Sequence, residues 1–173
     1  MINPEDILVG IVSLNDGRLV GRTRLQKTVF LLERCGMESG IPFSYYHYGP
    51  YSPELTAAWE MAEAQGLLKM EERPGNFDMP YTVFTTEEPP PHELGNLSSE
   101  TVGRVLQRVG KYSDVVVELA ATLVYLADKY GDSVSDEVKR RKPLKATDKR
   151  LAEAENLLME IGLVDTSANH GAR

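Results

Sequence analysis

The chain has little of the cysteine and histidine that many catalytic and metal sites are built from. It has one cysteine, Cys35, so no disulfide framework can form within it, and a reducing compartment fits. Its three histidines, His47, His92 and His170, lie far apart, and no Cys/His spacing suits a zinc site. No phosphate loop or Gly-rich dinucleotide fingerprint occurs. No apolar run approaches the roughly 18 residues of a bilayer span. The longest, residues 115–127, is interrupted by Glu118. The opening Met1-Ile2-Asn3-Pro4-Glu5-Asp6 lacks the basic stretch of a signal peptide. Cations are also in the minority, with 19 Lys and Arg against 26 Asp and Glu and a net charge of −7, which works against generic nucleic-acid binding. These absences lead to the expectation of a cytoplasmic protein that is not an enzyme, uses no cofactor or metal, and has no membrane partner.

What is present is a patterned globular sequence. An apolar fraction of 42% over 173 residues suffices for a core without covalent staples. Asn3, Pro4, Glu5 and Asp6 start a helix over residues 4–14, with Ile7, Ile11 and Leu14 on one stripe. Asn15-Asp16-Gly17 stops it. A second helix over residues 23–35 carries Leu25, Val29 and Leu32 inward. Residues 43–48 read as a short aromatic strand ended by Gly49-Pro50. Ser52, Pro53 and Glu54 start a third helix that buries Leu55, Ala58, Trp59 and Ala62. Strands at 67–73 and 81–86 flank the turn Pro74-Gly75-Asn76 and should form a hairpin.

The order helix, helix, strand, helix, strand, strand is that of a winged helix. The expected fold class is mostly α with a small antiparallel β-sheet (α+β), a winged-helix-like core over residues 1–88. Glu87-Glu88-Pro89-Pro90-Pro91 breaks the pattern and opens a Pro-rich linker, residues 89–97. A helical extension follows over 98–165, with helices at 99–109, 114–130, 136–141 and from Thr147 or Asp148 onward. It is expected to pack on the core or to mediate a homodimer. Residues 166–173 read as a disordered tail.

Three segments carry a family resemblance. They are Gly21-Arg22-Thr23-Arg24-Leu25-Gln26-Lys27-Thr28-Val29-Phe30, then Tyr46-His47-Tyr48-Gly49-Pro50-Tyr51-Ser52-Pro53-Glu54-Leu55, and the Gly66-Leu67-Leu68 exit of the third helix. They resemble the Leu-Gln-Lys and Tyr-Gly-Pro signatures of the YwgA-like bacterial and archaeal proteins, and more distantly the Panacea (SocA-like) antitoxin domain. The YwgA-like resemblance implies no activity. The antitoxin resemblance implies binding to protein partners without catalytic residues. Tyr51-Ser52 and the long helical tail depart from the antitoxin pattern.

Two sets of residues are candidates for a binding role. The first is aromatic and basic: Tyr46, Tyr48 and Tyr51 with Arg22, Arg24 and Lys27. Tyr and Arg are enriched at interface hot spots. The competing reading is structural, with Arg24 or Lys27 capping carbonyls or pairing with an acid near the Gly49-Pro50 turn. The second set is the basic cluster Lys139, Arg140, Arg141, Lys142 and Lys145. It reads either as a solvated face or as a docking patch for an acidic protein or a nucleic-acid backbone. The third helix carries Glu54, Glu60 and Glu63 and no cation, which argues against its reading a DNA groove. The expected function is a protein-interaction or regulatory module, antitoxin-like in the narrowest version. The alternative is a winged-helix DNA-binding regulator.

Overall fold

Helix boundaries follow the capping signals closely. In the computed structural model, which describes residues 2–164, α1 spans Pro4–Leu14, α2 Arg22–Arg34, α3 Pro53–Ala64 and α4 Ser99–Val109. Then come α5 over Asp114–Tyr130, α6 over Val134–Arg141 and α7 over Asp148–Glu160. Side chains of Ser98, Ser113 and Thr147 accept the backbone N–H of the third residue onward and cap α4, α5 and α7. Asn3 and Ser52 make no such bond, so α1 and α3 start on a proline in the first turn instead. The expected disordered tail lies outside the described residues.

The strands are β1 (Arg18–Val20), β2 (Ser44–Tyr46), β3 (Gly49–Tyr51), β4 (Lys69–Arg73), β5 (Tyr81–Thr85), β6 (Glu93–Leu94) and β7 (Leu97–Ser98). β1, β5 and β4 form one antiparallel sheet in that order, with Leu19 opposite Phe84 and Met70 on its other side. The β4–β5 loop closes on Gly75, where a Cβ would lie 2.1 Å from the Met79 carbonyl oxygen. Phe77 and Asp78 in that loop take positive φ, and the Phe77 ring is in solvent. The fold is thus mostly helical α+β with small antiparallel sheets.

Three elements differ from the sequence expectation. β1 is a three-residue strand between a helix stop and a helix start, too short to show a period of two. The aromatic strand ends at Tyr46, because the chain turns over His47-Tyr48 and Gly49–Tyr51 runs back as β3. Pro50 is tolerated there because a two-stranded hairpin leaves its N side free of a ladder bond. The Pro-rich segment is no free spacer. Leu94 is buried against α1, so closely that a Cβ on Gly10 would come within 2.5 Å of it, and Ser13 Oγ donates to the Glu88 carbonyl at 2.7 Å.

The core is continuous across that segment. α1 packs on α3 and α4, α2 packs on α5, and α5 is further covered by α6 and α7. One apolar cluster runs from Ile7 and Leu25 through Leu106 and Leu119 to Leu157. α5 lies at its centre, with nine of its residues from Val116 to Leu126 buried. No helix among the described residues is long and apolar enough to cross a membrane.

Candidate functional site

The Gln26-Lys27 pair of α2 holds the segment after the tyrosines. Gln26 Nε2 donates to the Ser52 carbonyl at 2.8 Å, and Ser52 N–H donates back to Gln26 Oε1 at 3.0 Å. Lys27 Nζ donates to the Pro50 carbonyl at 2.7 Å. Gln26 has both a donor and an acceptor on one planar group, so it satisfies both backbone groups of one residue. Both side chains are buried, Lys27 with 2% of its surface exposed. Gly49 completes the clasp. Its φ of +94° favours glycine, and a Cβ there would meet Thr122 Oγ1 of α5 at 2.4 Å.

Behind the clasp lies a buried ionic cluster. Glu118 of α5 accepts from Lys142 Nζ at 2.6 Å and from Lys145 Nζ at 3.0 and 3.1 Å. The Glu118 and Lys142 side chains are each only 5% exposed. Lys142 Nζ also reaches the His47 carbonyl at 3.3 Å, and the Lys145 ammonium sits 4.8 Å from the centre of the Tyr48 ring. Glu118 therefore ties α5, the segment after α6, and the hairpin turn together. Removal from water pushes the Lys27 ammonium down to about 8. The Glu118 carboxylate opposes that shift, and the Lys142 and Lys145 charges add to it.

Above the clasp the hairpin is open to solvent. Tyr46 and Tyr48 are 55% and 54% exposed, whereas Tyr45 turns inward onto Tyr125 with ring centres 5.8 Å apart. The Tyr46 ring lies 5.4 Å from that of Tyr51, whose hydroxyl is 3.0 Å from Thr56 Oγ1 of α3. Tyr46, Tyr48 and Tyr51, with Trp59, Arg22 and Lys27, line a cavity of about 250 Å³. Among the described residues, nothing in its wall is acidic.

This combination of clasp and hairpin uses the residues of the two signature segments. The chain is 26% identical over 130 residues to a protein of Bacillus subtilis (strain 168) described as "Uncharacterized protein YwgA", a match covering 74% of this chain and 75% of that one. The chain is thus similar to that YwgA protein over most of its length. No family model matches it. In this chain the Leu-Gln-Lys and Tyr-Gly-Pro segments are two halves of one contact, since Gln26 and Lys27 bond the backbone of Pro50 and Ser52.

The structure divides the first candidate set. Arg22, Lys27, Tyr46, Tyr48 and Tyr51 converge on one cavity. Arg24 does not join them. Its guanidinium turns to the α4–α5 junction, where it pairs with Asp114 and donates to the Val109 carbonyl at 3.1 Å and to the Tyr112 carbonyl. Arg24 lies about 200° around α2 from Arg22, and the Val109 and Tyr112 carbonyls with Asp114 hold its guanidinium away from the hairpin.

The basic cluster does not form one exposed patch. Lys142 and Lys145 turn inward to Glu118. Arg140 and Arg141 both bond Glu137, and the Arg141 guanidinium also lies 4.7 Å from the Tyr45 ring centre. Those bonds hold the Glu137 carboxyl down to about 2. Lys139 pairs with Asp148 at 2.7 Å. Glu118 was not among the sequence candidates. Its signal was present as the lone charge in an apolar run, which a soluble core admits only when that charge is paired.

Proposed function

We propose that the protein is a non-enzymatic protein-interaction module on a winged-helix-like core, acting in the cytoplasm and regulatory in the manner of an antitoxin-type domain. Helices α1, α2 and α3 with strands in the order β1-β5-β4 support the winged-helix-like description. The observation that carries the functional reading is the pair of exposed rings, Tyr46 and Tyr48, on a hairpin whose backbone is locked from below by Gln26 and Lys27. Aromatic rings with few rotatable bonds on a rigid support lose little entropy on binding and serve as interface anchors.

The DNA-regulator alternative finds less support. The exposed side of α3 presents Glu54, Glu60 and Glu63 and no cation, whereas on β4 Glu71 and Glu72 are paired with Lys69, Arg73 and Arg22. That surface would repel phosphates, and the cations of residues 139–145 already face acids of the same chain. The test is capture from native lysate by wild type and by a Tyr46→Ala/Tyr48→Ala variant. The expected result is a protein species retained by wild type and lost by the variant at unchanged melting temperature. Equal retention by both, or salt-sensitive retention of duplex DNA alone, would overturn the reading.

A further inference from the structure

Next to the cavity at the hairpin lies an electrostatic imbalance that the interaction reading does not use, and Lys27 belongs to both. Three ammonium groups, of Lys27, Lys142 and Lys145, gather around one carboxylate, Glu118. Glu118 is bonded by two of them. Lys27 makes no ion pair among the described residues and has a single neutral acceptor, the Pro50 carbonyl. Buried cations are ordinarily paired with an anion. An ammonium has three donors, and one bond leaves two. Lys27 also forms part of the cavity wall.

The rest of the wall fits an anion on a flat group. Arg22 lies on the rim and commits its Nε to Thr82 Oγ1 at 2.9 Å. Its one ion pair among the described residues, with Glu72, is 3.5 Å long and solvent-exposed, a contact of small worth. Thr23 and Thr56 add hydroxyls, Gln26 is committed to the Ser52 backbone, and the remaining wall is aromatic: Tyr46, Tyr48, Tyr51 and Trp59. The volume of about 250 Å³ is below that of typical drug-sized sites and matches a single ring with its substituent.

We infer that this cavity binds a carboxylate carried on an aromatic ring, with Lys27 and Arg22 holding the anion and the tyrosines and Trp59 enclosing the ring. This deepens the interaction reading, because it names the chemistry of the group that enters beside Tyr46 and Tyr48. A carboxylate supplies the negative charge that Lys27 lacks, and its planar oxygens suit both an ammonium and a guanidinium. The ring replaces water against an aromatic wall.

Trp59 is the chain's one tryptophan, so its fluorescence reports occupation of the cavity directly. The probes are phenylacetate, its neutral isostere phenylacetamide, acetate, inorganic phosphate and N-acetylphenylalanine, the last mimicking a chain terminus. The expected result is saturable quenching by phenylacetate, with phenylacetamide and acetate each weaker by about ten-fold or more. Arg22→Gln should weaken phenylacetate by about ten-fold and leave phenylacetamide unchanged. Arg22 is half-exposed, so this variant is expected to fold even if Lys27→Met does not.

Tighter binding of N-acetylphenylalanine than of phenylacetate assigns the group to the end of a partner chain, and the reverse order assigns it to a free aromatic acid. Equal binding of acid and amide, binding indifferent to Arg22→Gln, or preference for inorganic phosphate overturns the inference. Loss of a captured protein in the Tyr46→Ala/Tyr48→Ala variant without any carboxylate binding defeats this inference and leaves the interaction reading standing. Carboxylate binding with no captured protein does the opposite.

Discussion

In the tyrosine hairpin two rings face solvent over a buried scaffold, whereas in residues 139–145 most of the cations face acids of their own chain. Both segments carry residue types that bind partners. What separates them is the location of their counter-charges. Glu118 sits in the middle of α5, buried on all sides, and its desolvation must be offset by cations brought to it. Lys142 and Lys145 perform that role, so a run that looks like a surface patch includes two core contacts. The hairpin meets no such demand above its clasp, and Tyr46 and Tyr48 stay outside. A count of cations along a sequence therefore overstates free charge wherever the fold buries an acid nearby.

The largest effect should come from breaking the shared acid. Glu118→Gln leaves the Lys142 ammonium buried without its partner, and chemical denaturation should show a loss of about 3–5 kcal/mol. A loss near zero would mean that Lys142 escapes to solvent and that the two segments are not coupled through Glu118.

Next in size is the titration of Lys27, the cation on the hairpin side. Its ammonium is held at about 8 in the folded chain, against 10.5 for the free side chain. Below pH 8 both folded and unfolded chains carry the proton. Between pH 8 and 10.5 the unfolded chain holds it more tightly, so this group makes stability rise with pH. The gain is on the order of 3 kcal/mol and levels off above 10.5. Denaturant midpoints across this range should rise for wild type relative to Lys27→Met. The Nζ resonance of labelled lysine should titrate near 8. A midpoint above 10 would place Lys27 in solvent and remove the contrast with Tyr46 and Tyr48 above it.

The smallest effect belongs to the outer end of the basic stretch. Lys139 and Asp148 are 45% and 91% exposed, so Lys139→Ala should move the melting temperature by less than about 1 °C. A shift as large as that of Glu118→Gln would show that the whole stretch, and not its inward half, supports the core.

Much of the helical framework was legible. The starts of α1, α4 and α5 were readable because proline, serine caps and apolar stripes act over a few residues, and local signals need no tertiary partner. β1 was not legible, because a three-residue strand has meaning only beside β5. The turn at His47-Tyr48 was hidden because Gly49-Pro50 reads as a breaker, while its pairing partner Tyr46 lies just upstream. Of the candidate site, the residues Tyr46, Tyr48, Tyr51 and Lys27 and a carbonyl-capping role for Lys27 near the Gly49-Pro50 turn were readable from the signature segments, but their meeting at one cavity was not. Arg24 caps carbonyls and pairs with an acid, but at the α4–α5 junction and not at the Gly49-Pro50 turn, and the basic stretch was assigned by charge, which does not say which way a side chain points.

By itself the sequence determined the mostly helical character, the two signature segments and the absence of a membrane-length apolar helix, since composition, caps and periodicity are local properties. Only the tertiary structure decided that the signatures are a single clasp and that Glu118 gathers Lys142 and Lys145. Those outcomes depend on α5 crossing behind the hairpin at the distance of a hydrogen bond, and a contact between residues 118 and 142, or 27 and 50, has no local period to announce it.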